Sequence, residues 1–252
     1  MYYNRRNLYL YDFIIPIILN YSEEKQNKMK KQRFLSILST LLITAGLLLL
    51  LSPRLASWWI DYHSNQNAKT TEEMSAQALQ DNLKSESDFD FDAIEEISPT
   101  GVLSNGGAVD EHLIVGRLLI PSIDLNLTVY NGVNNQILNA GLGTMRPDLT
   151  MGEGNFPIAG HYASTKNVLF ADLTSVAIDD AIFLTDNEKI YEYRVYDTKI
   201  VDPSEIKWIY DEVSEERGKP IISLMNCYYV NGKNSGDRYF VFGELVDVQN
   251  NH

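Results

Sequence analysis

The sequence of 252 residues holds a single cysteine, Cys227, in the stretch ISLMNCYYVNGKNSGDRYFVFG. An apolar run precedes it, and a polar segment ending in Arg238 follows it. That spacing predicts a thiol where a strand gives way to a loop, a position that suits a nucleophile. The alternative is a small buried hydrophobe, the commonest fate of a lone thiol. A nucleophilic thiol needs a base or ion-pair partner and a donor for the developing oxyanion. Of the four histidines, His252 is terminal, His63 lies in a polar stretch and His112 precedes the first strand. All three are expected in solvent. His161 closes the run NFPIAGH and is the remaining partner, with a surface histidine as its alternative. Arg238 lies eleven residues beyond Cys227, so a hairpin would return it beside the thiol. Its planar guanidinium fork suits a substrate carbonyl or an oxyanion, and its alternative is a surface salt bridge.

The elements that must position these groups are short and strand-like. LIVGRLLIPSIDLNLTVY reads as two strands around a Pro-Ser turn, and NNQILNAGLGTM as a helical turn running into a strand. NFPIAGHYAS is a strand ending at a loop, and NVLFADLTSV a short helix or turn. DAIFLTD, KIYEYRVYDTKIV, PIISLMNCYY and RYFVFGELVDV are four further strands. Residues 202–220 form a long loop that holds a helical turn and carries Ile206, Trp208 and Ile209 in otherwise polar surroundings. Many short strands at close spacing predict a mainly β fold, a closed or nearly closed barrel.

The N-terminal part differs. Residues 34–51, FLSILSTLLITAGLLLLL, carry no charge and approach the length that crosses a bilayer as a helix. Lys28, Lys30, Lys31 and Arg33 precede them, which predicts a cytoplasmic N-terminus and an extracellular remainder. Trp58 and Trp59 suit an interfacial anchor. A cleaved signal peptide is the alternative, but SPRLASWWI offers no small-x-small cleavage site. Residues 1–33 are then a cytoplasmic segment, of which 1–28 are either an over-extended gene start or a genuine tail, since Met29 opens a natural start. Residues 52–109 are poor in large apolar groups and are expected to be an extracellular stalk, with FDFDAIEEISP the part that docks on the next domain. Residues 110–252 form the barrel domain. Residues 1–60 hold eight Lys/Arg against three Asp/Glu, and the rest thirteen against thirty-one. That acidic part excludes phosphate-backbone binding, so nucleic acid is not an expected partner. A lone cysteine cannot form a disulfide within the chain, and a thiol outside the cell is an oxidation liability unless buried or used.

An N-terminal anchor, a β-rich domain, AGH, SLMNC and an arginine shortly after resemble the class A sortases, cysteine transpeptidases of Gram-positive bacteria that attach surface proteins to the cell wall. GRLLIPSIDLNLTVYNG, LNAGLGTM and NFPIAGHYASTKNVLFADL extend the resemblance over residues 87–248. It implies an eight-stranded β-barrel with short helices behind a transmembrane helix and a flexible stalk. It also implies that Cys227 attacks the Thr–Gly carbonyl of an LPxTG-type sorting signal. His161 would protonate the leaving amine and activate the incoming one, and Arg238 would position the substrate and stabilise the oxyanion. A lipid II-type cell-wall precursor would supply the acceptor amine at the outer face of the cell membrane. Ser223, Asn226, Ile206, Trp208 and Ile209 are the expected substrate-binding residues. The chain departs from the family's threonine-leucine-x-threonine-cysteine at Asn226, while Ser223 keeps a hydroxyl. Some class A sortases use calcium held by acids ahead of the histidine strand. The equivalent positions here are Glu153, Leu149 and Arg146, so no metal and no cofactor are expected. A pilin-polymerising class C sortase is an alternative, although residues 61–110 contain no Asp-Pro pair. A membrane-anchored binding or adhesion module with a buried cysteine is the other.

Overall fold

A computed structural model describes residues 6–89, 109–163 and 165–251. The chain divides into two compact units, Met1–Ser52 and Pro53–His252. The described part of the first is all helix, the beginning of α1 (Arg6–Glu73). Within it, Lys28–Ser52 spans 25 residues at mean hydropathy 2.5 with no residue buried, long and apolar enough to cross a membrane. Its hydroxyls stay satisfied inside the helix: Thr40 and Thr44 donate to the carbonyls of Ser36 and Thr40 at 2.9 and 3.0 Å. A polar group without such a partner would be costly in hydrocarbon.

The second unit is a closed barrel of eight strands: β1 (Ile114–Ile120), β2 (Leu125–Tyr130), β3 (Leu142–Thr144), β4 (Asn155–Gly160), β5 (Ala181–Thr185), β6 (Lys189–Val201), β7 (Ile221–Val230) and β8 (Lys233–Asn250). Their order around the barrel is β1-β2-β3-β4-β7-β8-β6-β5, and β5 closes back onto β1. The expected strands are therefore all present, in a barrel with no free edge. The Pro-Ser turn between β1 and β2 is a 3-10 turn at Pro121–Ile123, ended by Asp124 at φ 52°. α3 (Asn135–Ala140) precedes β3, capped by the Asn134 side chain, which accepts from Ile137 N at 2.9 Å.

Strand alternation gives the barrel two apolar faces. Phe156, Ile158, Ile222, Leu224 and Val241 fill the interior with Leu118, Val129, Ile182 and Tyr193. The intervening residues Ala159, Ile221, Met225, Phe240 and Phe242 form a second cluster on the outer face of β4, β7 and β8. Residues 202–220 cover that outer face through a 3-10 turn at Ile206–Ile209 and α4 (Glu212–Arg217). Trp208, Ile209 and Val213 pack onto it.

The stalk expectation fails over residues 61–83. The end of α1 lies on the barrel with Ile60, Ser64, Ala68 and Thr71 buried. The Thr71 hydroxyl shares a 2.9 Å hydrogen bond with that of Thr128 in β2. Glu72 pairs with Arg117 of β1. α2 (Ala76–Leu83) follows, with Leu79 and Asn82 buried. Asn82 Nδ2 donates to the carbonyls of Glu111 and Ile114 at 3.0 and 2.8 Å, and its own carbonyl accepts from Asn131 Nδ2 at 3.0 Å. The segment reads as a stalk because it lacks large apolar groups. It docks through Leu79, Met74 and Leu83, and through short polar side chains that complete backbone hydrogen bonds. Of FDFDAIEEISP, Phe89 pairs with Val133 and packs against the outer cluster. The rest of that stretch lies outside the described residues.

Asn82→Ala leaves two carbonyls without their donor, at about 1–3 kcal/mol for each one that stays buried. At roughly 2–4 °C per kcal/mol for a unit of this size, the melting temperature should fall by about 5–10 °C. Asn65→Ala, at an exposed side chain of α1, should shift it by less than about 2 °C. Thermal unfolding followed by circular dichroism compares the two.

Candidate active site

β4 and β7 run parallel, with Asn155 to Ala159 paired in order with Ile221 to Met225. Two residues beyond the last pair, Ala159 with Met225, lie His161 and Cys227. They therefore leave the same end of the barrel from adjacent strands. β8 returns antiparallel beside β7 and sets Arg238 directly opposite Cys227. Alternation assigns the positions of Ala159, Met225 and Phe240, each two residues from one of the three, to the outer face beneath residues 202–220. The structure thus brings His161, Cys227 and Arg238 to neighbouring positions on three adjacent strands.

Cys227 is half-buried and lies within β7, three residues before its end. The sequence expectation of a strand end is corrected here: the hairpin turns later, at Asn231-Gly232, with φ of 52° and 74°. Both residues sit in the left-handed region that a two-residue hairpin turn requires. Val230 pairs with Lys233 across this turn, but the register shifts between Cys227 and Tyr229. Without that bulge Cys227 would face Gly236 rather than Arg238. Arg238 is half-buried, and Nη1 donates to the carbonyls of Gly236 and Asp237 at 3.2 and 3.3 Å. Among the described residues it makes no ion pair, so the salt-bridge alternative does not describe it.

His161 is only 5% exposed and is not a surface histidine. Burial pushes its pKa down to about 4, so the imidazole is neutral at neutral pH. A neutral imidazole beside a thiol can accept its proton when the thiol attacks, then hand it to a leaving amine. Of the other histidines, His112 is exposed and His63 packs against Trp59 in a tilted contact, 4.5 Å between centroids and 49° between planes. His252 lies outside the described residues.

The expected substrate-binding residues separate into three groups. Ser223 is fully buried and donates to Asn155 Oδ1 at 2.7 Å, and Asn226 is 1% exposed and donates to the Phe170 carbonyl at 2.8 Å. Both are parts of the scaffold, since neither side chain reaches a groove. Trp208 and Ile209 pack on the outer cluster, Trp208 at 5.6 Å from the Phe242 ring, with Lys207 Nζ 4.4 Å from the indole centroid. Only Ile206 stands out, 62% exposed.

Residues 202–220 are tied down by a set of polar groups that sequence spacing did not reveal. Arg146 donates to the carbonyls of Ile209 and Asn155, each at 3.0 Å, and pairs with Asp211. Asp211 also accepts from Asn155 N at 2.8 Å. Asn155 Nδ2 bonds the carbonyls of Trp208 and Tyr210 at 3.0 and 3.1 Å. Arg146 and Asp211 are 65 residues apart, and no local pattern announces such a pair. These residues do not fit a calcium ion. A guanidinium already sits on the Asp211 carboxylate, Leu149 is buried in the core, and Glu153 is exposed.

A half-buried cysteine with a neighbouring histidine and arginine on a closed eight-stranded barrel defines a cysteine transpeptidase of the sortase type. The sortase domain family matches residues 118–246. Over 190 residues the chain is 35% identical to sortase A of Listeria monocytogenes, covering 75% of this chain and 82% of that one. Over 221 residues it is 36% identical to sortase A of Bacillus anthracis, covering 88% and 99%. The crystal structure of the Listeria monocytogenes enzyme aligns at TM-score 0.50 and 36% identity, over 55% of this chain and 90% of that one. Sortase C-3 of Streptococcus pneumoniae aligns at 0.53 and 25% identity, over 75% and 93%. The chain belongs to the sortase family, within its class A.

Two outcomes test the geometry. The depressed pKa of His161 means that the unfolded chain takes up a proton between about pH 6.5 and 4 while the folded chain does not. Stability is therefore lost as pH falls through that window, by about 3 kcal/mol in total. The drop in melting temperature from pH 7 to pH 4.5 should be smaller in His161→Asn than in the parent chain. Trp208→Ala removes a ring packed on Phe242 and should lower the melting temperature by several degrees. An unchanged melting temperature would return Trp208 to the role of an open groove wall.

Proposed function

We propose that this sortase cleaves an LPxTG-type sorting signal between Thr and Gly and transfers the amino-terminal fragment, through its new threonine acyl end, to an amine of a lipid II-type cell-wall precursor. The Cys227 thiol attacks the threonine carbonyl carbon and its proton passes to His161. The tetrahedral intermediate collapses as His161 returns that proton to the glycine nitrogen, which leaves as a free amine. The resulting thioester joins the surface protein to Cys227. An incoming amine gives its proton to His161, attacks the thioester carbonyl and releases the thiolate, which takes the proton back. Arg238, opposite Cys227 in the ladder, supplies the two-pronged donor for the oxyanion and the signal's backbone. The observation that carries this reading is the juxtaposition of Cys227 with Arg238 across β7 and β8 and with His161 beyond the β4–β7 ladder.

The exposed apolar stretch Lys28–Ser52 supports a single membrane span, and the basic residues ahead of it support a cytoplasmic N-terminus with the barrel outside. Both substrates in this reading are held at the outer membrane face, so confinement there raises their effective concentration.

The full chain in detergent micelles, given an LPxTG peptide and triglycine, should yield the ligated peptide by mass spectrometry. Cys227→Ala should abolish both product and acyl-enzyme while melting within about 3 °C of the parent, since a half-buried thiol contributes little packing. Arg238→Lys should lose at least about tenfold in kcat/KM, because lysine keeps the charge without the fork. Turnover by Cys227→Ala would sink the acyl-enzyme.

A further inference from the structure

An imidazole that shuttles protons must be held in place by something, and a hydrogen-bonded third group commonly does this. His161 is only 5% exposed, so its ring is enclosed by the protein. His161 also lies past the end of β4, outside the ladder that fixes Ala159 against Met225. Its backbone is held in another way. The His161 carbonyl accepts from Phe170 N at 3.1 Å, and the Phe170 carbonyl accepts from Asn226 Nδ2 at 2.8 Å. Phe170 is fully buried, with its ring against Gly160, where a Cβ would come within 2.6 Å of it. On the other side of His161, the Tyr162 ring stacks on that of Tyr229, 4.0 Å between centroids and 14° between planes.

The residues that reach out are the ones flanking Cys227. Asn226 precedes it and Tyr229 follows two places later. They meet Phe170 and Tyr162, one bonded to His161 through the backbone and one next to it in sequence. Two further observations mark the arrangement as more than packing. Asn226 Oδ1 is buried with no hydrogen-bond partner among the described residues, a cost that a purely structural site would avoid. The segment that presents Phe170 carries Asn167 and Leu169 at φ of 61° and 48°, left-handed conformations that destabilise a non-glycine chain unless the surroundings hold them.

We infer that Asn226 and the Tyr162–Tyr229 stack are positioning residues, which fix His161 against the strand that carries Cys227 and so set the geometry of proton transfer. Asn226 acts through Phe170 and the His161 carbonyl, and the stack acts through the Tyr162 backbone. This assigns Asn226 a role in the chemical step without contact to the peptide. The kinetic part of the inference rests on the transpeptidase reading above. The structural part does not.

The test uses the full chain in detergent micelles and the variants Asn226→Ala, Tyr162→Ala and Tyr162→Phe, each alone and combined with His161→Ala. With an LPxTG peptide and triglycine, both alanine variants should lower kcat at least about tenfold with KM within about twofold, the pattern of an interaction that serves the transition state. Tyr162→Phe keeps the stack and should stay within about twofold of the parent. In the His161→Ala background the alanine variants should add less than about twofold to the loss in Cys227 acylation, because residues that act through one group do not add. Equal losses with and without His161, or unchanged kcat, would overturn the inference. Amide exchange gives a readout that needs no substrate. The peptide containing Phe170 should exchange about tenfold faster in Asn226→Ala and Tyr162→Ala than in the parent, and unchanged exchange overturns the inference by itself. A parent chain that fails to turn over the peptide while the Phe170 amide responds as expected would sink the substrate reading and leave the positioning intact.

Discussion

The parallel pairing of β4 with β7 is the constraint on which the rest depends. Parallel neighbours cannot be joined by a tight turn and need a long crossover. Here the crossover runs through residues 161–180, β5, β6 and residues 202–220. Because both strands run the same way, both deliver their last residues to one end of the barrel. His161 and Cys227, 66 positions apart in the chain, become neighbours for that reason alone. The antiparallel return of β8 adds Arg238 from the other side. The closed order of strands leaves no edge at which this arrangement could slip.

The same crossover supplies the cover for the outer face of the site. Residues 202–220 have few apolar groups, so packing alone would hold them weakly. Trp208 and Ile209 anchor them on the outer cluster, Arg146 and Asn155 donate to their backbone carbonyls, and their own Asp211 accepts from both residues in return. Arg146 brings to this spot a positive charge with fixed, directional donors. A carboxylate already engaged in that way has little affinity left for a divalent ion, which prefers several free oxygen ligands.

Domain limits show how polar contacts can carry what apolar ones usually do. The composition of residues 61–83 argues for a solvated stalk because too little apolar surface is available to offset ordering. Leu79 is buried there, and Asn82, Asn131 and Asn187 add stabilisation by completing backbone groups, with Asn187 Nδ2 donating to the carbonyls of Thr71 and Met74 at 2.6 and 3.0 Å, while Thr71 bonds the Thr128 hydroxyl. Such bonds gain strength from the low dielectric in which they lie. Hydropathy does not register them.

The sequence by itself determined the class of fold, the apolar N-terminal stretch and the three groups of the site. Strand period, turn residues and the types Cys227, His161 and Arg238 are local properties, and local properties survive in a linear reading. The family resemblance added the strand number. The sequence placed Arg238 beside Cys227 by a hairpin, although the register set at the Asn231-Gly232 turn, continued without a shift, would put Cys227 opposite Gly236. Only the tertiary structure shows the bulge between Cys227 and Tyr229 that sets Arg238 opposite the thiol. It likewise decided that His161 is buried and neutral, that Ser223, Asn226 and Trp208 belong to the scaffold, and that Arg146 meets Asp211. Each of these depends on which atoms arrive from distant positions in the chain. Burial, desolvation and hydrogen-bond partners are properties of that assembled surrounding, and no window of sequence contains it.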